Sequence, residues 1–199
     1  MARDTGRNPL RESIANIAAR LMAEDGIEDY AQAKRKAARQ AGAPAARQMP
    51  TNDEIDEALA RYRGLFQHGH AAQLRELREL ALEVMRELDA FNPYLTGSVL
   101  RGSAGKYAAI QLQLFCANAK SVEHYLLGRN IRLRSAEISL YAGDMEVRAP
   151  VLIFERDGCA IHLTLLSPRD LRLALKIAPG GKPIERAKTD AVEILIAES

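Results

Sequence analysis

The chain predicts an α+β fold in which helices come first and a sheet follows, and two observations lead to it. Up to about residue 91, apolar residues recur every three or four positions, the period of helices packed on one side. From Pro93 onward they come in short runs separated by Gly- and Asp-containing turn signals, as strands do. With 199 residues, 47% hydrophobic and 27% charged, the chain is long and apolar enough to bury a core. The expected organisation is a helical N-terminal region over residues 1–91 and an α/β domain over residues 92–199.

Pro9 to Glu24 carries Leu10, Ile14, Ile17, Leu21 and Met22 at helical spacing and ends at Asp25-Gly26, where glycine suits a helix C-terminus. A second helix is expected from Ile27 to Gln40, stopping at Gly42, with Ala41-Gly42-Ala43-Pro44-Ala45-Ala46 as a linker. Thr51-Asn52-Asp53-Glu54 has the spacing of a capping box and opens a third helix through Phe66, with Ile55, Leu59, Tyr62 and Leu65 inward. A fourth helix, from about Ala71 to Phe91, presents Leu74, Leu77, Leu80, Leu82, Val84, Met85 and Leu88 as a broad apolar stripe.

Beyond Pro93, strands are expected at Tyr94–Leu100, Ile110–Cys116, Ile131–Tyr141, Glu146–Glu155 and Cys159–Leu166. Ala142-Gly143-Asp144 and Arg156-Asp157-Gly158 are turn signals that join the last three into an antiparallel meander. Ala119–Leu127 reads as a helix ended by Gly128, and Pro168–Leu175 and Ile184–Ala197 read as two more.

Several function classes are set aside by composition. No apolar run approaches the roughly 20 residues that span a bilayer, and Met1 to Arg7 lacks the apolar stretch of a secretory signal, so a cytoplasmic protein without a membrane partner is expected. Cys116 and Cys159 lie on expected strands far apart in sequence, which suits thiols packed in a core. A net charge of +2 is too small for a dedicated nucleic-acid binder, yet the charge is uneven. Lys34, Arg35, Lys36, Arg39 and Arg47 follow one another without an acid between Ala33 and Arg47, whereas nine acids face five arginines from Thr51 to Asn92.

The stretch Gly97-Ser98-Val99-Leu100-Arg101-Gly102-Ser103-Ala104-Gly105-Lys106-Tyr107-Ala108-Ala109-Ile110-Gln111-Leu112 carries the most chemical information. Glycine lets a backbone approach a phosphate, serine adds donors, and a helix N-terminus following them favours anions. The frame resembles the signature of the polymerase-beta-like nucleotidyltransferase superfamily. There, Gly-Ser opens a short helix and two aspartates follow on a strand, one residue apart. The resemblance covers roughly residues 92–166 and implies a palm with a mixed, mostly antiparallel sheet.

The aspartates would fall at Ala109 and Gln111, and the third carboxylate of the family at His162 within Cys159–Leu166. In the family these acids hold divalent ions that clamp a triphosphate. Ala109 has no ligand atom, Gln111 only a neutral carbonyl, and His162 a nitrogen where magnesium prefers oxygen. The resemblance therefore implies a degenerate member that binds a nucleotide or an RNA or DNA segment: no catalytic residues, no metal site, no resident cofactor, and a nucleotide held by Gly97 and Ser98 with Arg101 and Lys106 as phosphate partners.

Two other functions compete with it. An active transferase would need magnesium and carboxylates drawn from elsewhere, for example Asp144, Glu146, Glu155 or Asp157. Alternatively the helical region is the working part, a nucleic-acid or protein interaction module with the palm as scaffold, in which Lys34, Arg35, Lys36 and Arg39 could lie along RNA or DNA phosphates. Arg63 and His68 have the separation of the HEPN ribonuclease motif, although Gly64 stands where that family commonly places a polar residue.

Overall fold

Residues 9–24, 27, 30–43, 49–66, 69–105, 108–179 and 181–198 are described by the computed structural model of the chain. They form an α+β protein with an N-terminal helical region and a six-stranded mixed sheet. The chain divides into two compact units between Ala71 and Ala72.

The first unit contains α1 (Pro9–Glu24), α2 (Tyr30–Gln40) and α3 (Asn52–Phe66). Its core is rich in small side chains: Ala15, Ala18 and Ala19 of α1 and Ala33, Ala37 and Ala38 of α2 are buried with Ile14 and Ile55, so the helix backbones approach closely. The capping box forms at the start of α3. The Glu54 N–H donates to Thr51 Oγ1 (3.2 Å) and the Thr51 N–H donates to Glu54 Oε2 (2.6 Å). Arg11 of α1 donates to the same Oε2 through Nε (3.0 Å) and Nη2 (2.7 Å), fastening α1 to the end of α3.

The second unit opens with α4 (His70–Glu87), whose Leu74, Leu77, Ala81 and Met85 share one core with strand residues. That shared core is why the units meet some twenty residues ahead of the change in hydrophobic period near residue 91. A 3-10 turn at Asp89–Phe91 and a left-handed Asn92 (φ 50°) then stop the helix ahead of Phe91, where the spacing alone would run it. Strand β1 (Pro93–Thr96) follows.

Here the expected strand to Leu100 is corrected. Gly97 takes φ 75°, the backbone turns, and Gly97–Arg101 becomes the short helix α5, ended by a left-handed Gly102 whose N–H and that of Ser103 both reach the Ser98 carbonyl. The remaining elements are β2 (Ile110–Phe115), α6 (Ala119–Leu127), β3 (Arg134–Ala142), β4 (Met145–Arg156), β5 (Cys159–Leu166), β6 (Leu175–Lys176) and α7 (Thr189–Ala197).

Two expected helices are corrected as well. Pro168–Arg172 makes only a 3-10 turn, capped by Ser167 and Asp170, before Leu175 joins the sheet. Residues 184–188 are not helical, because their backbone groups are taken by strands: Ile184 N–H donates to Leu175 O (2.7 Å), and Ala187 exchanges bonds with Leu95 (2.9 and 3.0 Å).

The strand order is β1-β2-β5-β4-β3-β6. Among the described residues only β2 and β5 run parallel; β3, β4 and β5 form the expected antiparallel meander. Alternation along the strands gives the sheet two unlike faces. Ile110, Leu112, Leu114, Ile161, Leu163 and Leu165 pack with α4, α6 and α7 in the main core. The other face carries Gln111, Gln113, Phe115, His162 and Thr164. One end of that face is closed by a smaller cluster of Phe115, Leu140, Ala149, Leu166 and Leu175. Arg186 seals this end: Nε donates to Gln113 Oε1 (2.7 Å), Nη1 donates to the Leu171 and Leu173 carbonyls (3.1 and 3.4 Å), and the guanidinium lies 5.0 Å from the Phe115 ring centroid. The end nearer Gly97 is open and polar.

Candidate functional site

That open end brings together sequence positions that are far apart. Gln111 of β2 and His162 of β5 are register partners in the parallel pair, so their side chains leave the sheet on one face, about 4.8 Å apart at the backbone. Ala109 directly precedes β2, one strand alternation from Gln111. Thr96 flanks the row on β1; it is paired with Gln111 and donates from Oγ1 to the Gln111 carbonyl (3.2 Å). Gly97 lies against the same residue. A Cβ built on Gly97 would come within 2.5 Å of Gln111 Oε1 and 2.9 Å of its Cδ, so a side chain here would collide with the amide as well as strain the positive φ.

Ser98 and Arg101 are half-buried on α5. Lys106 lies outside the described residues, as does His68. Among the described residues the side chains of Ser98, Gln111 and His162 make no hydrogen bond to other protein groups. The imidazole of His162 is half-buried, and burial, reinforced by the nearby Arg134 guanidinium, lowers its pKa below the ordinary histidine value. His162 is accordingly neutral at pH 7, able to donate from one ring nitrogen and accept at the other.

Arg134 was missed by sequence reasoning. It pairs with Ile153 of β4, which pairs with His162, so the register extends the row to Gln111–His162–Ile153–Arg134. Nothing local marks this arginine, since its place depends on three strand pairings. Arg78 was missed too. It lies on the buried stripe of α4, only 7% exposed, and donates from Nε to Val99 O (3.3 Å), from Nη2 to Leu100 O (3.4 Å) and from Nη1 to Leu195 O (3.2 Å). It thus holds the C-terminal carbonyls of α5 and α7, where a cation also complements the helix dipole. Its signal was an arginine at helical spacing from Leu74, Ala81 and Met85.

The acids considered for a relocated metal site do not gather. Asp144 and Glu146 belong to the β3–β4 hairpin, where Glu146 accepts from the Ser139 hydroxyl (2.6 Å), while Asp157 is in the β4–β5 turn. Glu155, paired with Ala160, is the acid on the open face. Among the described residues no three His, Cys, Asp or Glu side chains are grouped to hold a metal. With no donor at Ala109, a neutral carbonyl at Gln111 and an imidazole at His162, this set does not fit a magnesium pair.

In the first unit, Arg35, Lys36 and Arg39 are exposed on α2, at positions that share a face. Lys34 differs: it is half-buried and donates to Asn52 Oδ1 (2.7 Å). Cys116 and Cys159 are free thiols that pack against the main core, and burial raises the pKa of both. No helix among the described residues is long and apolar enough to cross a membrane. Comparison with protein-family models, with curated proteins and with solved structures yields no match to this chain.

Proposed function

We propose that this chain is a degenerate nucleotidyltransferase-like protein, with residues 92–199 as the palm, that binds a nucleotide without metal-dependent transfer. The observation that carries it is the parallel pairing of Gln111 with His162 beside the Gly97 turn. Two of the family's three acid positions, with Ala109 at the strand entrance, meet at one place, and each holds a residue unable to do the acid's work. What remains on the face is the Gln111 amide and neutral His162, and Ser98 and Arg101, on α5 with Gly97, are assigned to the same ligand on their place in the motif. Lys106 is assigned to the same ligand on sequence alone.

Thermal unfolding with a panel of nucleoside triphosphates, in magnesium and in chelator, tests this function. A ligand at 100 times its Kd adds about 2.7 kcal/mol. A shift that survives chelator is expected; no shift with any nucleotide refutes binding, and magnesium-dependent transfer to an acceptor refutes inactivity. Geometry is tested separately by Ala109→Asp, Gln111→Asp and His162→Asp together, which is expected to create divalent-ion affinity. Unchanged metal affinity would sink the family assignment.

A second function is favoured by the exposed Arg35, Lys36 and Arg39 face, which fits an RNA or DNA backbone. Reversing those three charges would then abolish salt-sensitive binding to a duplex or single strand; unchanged binding would exclude it.

A further inference from the structure

Resting on the nucleotide-binding function proposed above, we infer that the Gln111–His162–Arg134 row is a metal-independent phosphate site, in which the Arg134 guanidinium supplies the positive charge that divalent ions supply to a carboxylate-lined palm. The four register positions Gln111, His162, Ile153 and Arg134 lie on adjacent strands, a span of about 14 Å at the backbone. The arginine's long stem allows its head to return toward His162, and the two are close enough for Arg134 to disfavour the imidazolium. Arg134 is exposed, and among the described residues its guanidinium has neither an ion pair nor a hydrogen bond.

The polarity of the row selects the ligand. A carboxylate row recruits cations first and phosphate second; an amide, a neutral imidazole and a guanidinium offer donors to phosphate oxygens directly. The planar fork of arginine matches two such oxygens at once. Ile153, between His162 and Arg134, keeps the middle of the row free of a competing polar group. Glu155 stands one alternation away, beside Ala160, and repels an anion at that edge, so the phosphates are placed along the row itself, between Gln111 and the Arg134 head. The chemical class is a polyphosphate chain, either free or as the tail of a nucleotide.

The experiment titrates inorganic tripolyphosphate and, separately, a nucleoside triphosphate into full-length protein in chelator, reading thermal shift and calorimetric affinity for wild type, Arg134→Gln and Arg101→Gln. The expected result is binding by wild type in chelator and at least a tenfold loss in Arg134→Gln, whose unliganded melting temperature stays unchanged because the residue is exposed. Tighter binding of the nucleotide than of tripolyphosphate assigns the site to the nucleotide tail; equal binding assigns it to the phosphate chain alone. Affinity within twofold of wild type in Arg134→Gln overturns this site while leaving nucleotide binding intact. Binding that requires magnesium overturns its metal independence, and no binding of either probe under any condition overturns the nucleotide function and this inference with it.

Discussion

Replacing Arg78 with methionine isolates the device that holds the Gly-Ser helix in place. Methionine keeps much of the stem's packing on α4 and deletes the donors, leaving the Val99, Leu100 and Leu195 carbonyls without bonds of 3.3, 3.4 and 3.2 Å. These bonds are longer than the usual N–H···O distance of about 2.9 Å, so each is placed below the range of about 1.5–3 kcal/mol for a charged donor, at about 1 kcal/mol. Relief of the guanidinium's own burial, which pushes its pKa down, offsets part of the loss. The expected cost is about 2–3 kcal/mol, or a fall in melting temperature on the order of 10 °C. Because the chain has no tryptophan, urea unfolding is followed by far-UV circular dichroism. Hydrogen exchange adds location: the Gly102 and Ser103 amides, bonded to Ser98 O, should lose protection before the β2 and β5 amides do. Arg78→Lys should recover part of the stability, since one ammonium does not span three carbonyls. A cost below about 0.5 kcal/mol, or α5 amides as protected as in wild type, would refute the role assigned to Arg78.

Three further outcomes are expected. Gly97→Ala should cost about 1–2 kcal/mol in urea unfolding, because φ 75° disfavours any Cβ and this one meets Gln111 Oε1 at 2.5 Å; adding Gln111→Ala should relieve the collision but not the backbone strain. His162 should titrate below about 6.5 in an NMR experiment, and Arg134→Gln should raise its midpoint, burial being the larger cause and Arg134 the second. Since the unfolded chain then takes up this proton first, the His162 contribution is complete above about pH 6.5, begins to fall there, and is lost as pH drops through the lower folded value. His162→Gln should flatten the dependence, and a midpoint above 6.5 would contradict the geometry. Glu54→Gln should cost about 1 kcal/mol, because the change weakens the capping box and the Arg11 pair. Burial opposes ionisation of Glu54, but the bonds from Arg11 and Thr51 outweigh it and hold its pKa below the ordinary value, so this stability is present above about pH 4.5 and fades in acid.

Elements whose ends carry their own chemistry were legible in the sequence. Ala119–Leu127, ended by Gly128, and Cys159–Leu166, entered from Asp157-Gly158, fall where periodicity and turn residues put them, and the Thr51–Glu54 box forms as its spacing requires. Misreadings came where tertiary bonds override local preference. Val99 and Leu100 look like strand continuation, yet Gly97 turns the chain ahead of them and Val99 is buried from a helix instead. Residues 184–188 have helix-compatible composition, but Leu95 and Leu175 claim their backbone. The motif positions could be placed on strands from the sequence. Their meeting with Arg134 could not, because that depends on the register of β2, β5, β4 and β3 taken together.

The two faces of the β2–β5 pair differ in what they contribute. Ile110, Leu112, Ile161 and Leu163 are fully buried, and truncating any of them would cost about 2–5 kcal/mol. Gln111 and His162 alternate with them on the opposite face and contribute little to that core. Carboxylates at both positions would stand about 4.8 Å apart and repel one another unless a cation sat between them. A neutral amide and imidazole at these positions carry no such repulsion and need no cation between them. Arg134 stands at the end of this row, and under the phosphate site proposed above its charge would favour anions where a carboxylate pair would favour cations. Fold and surface chemistry are therefore separable in this chain: the buried face holds the architecture, and the proposed ligand would be met by the open face alone.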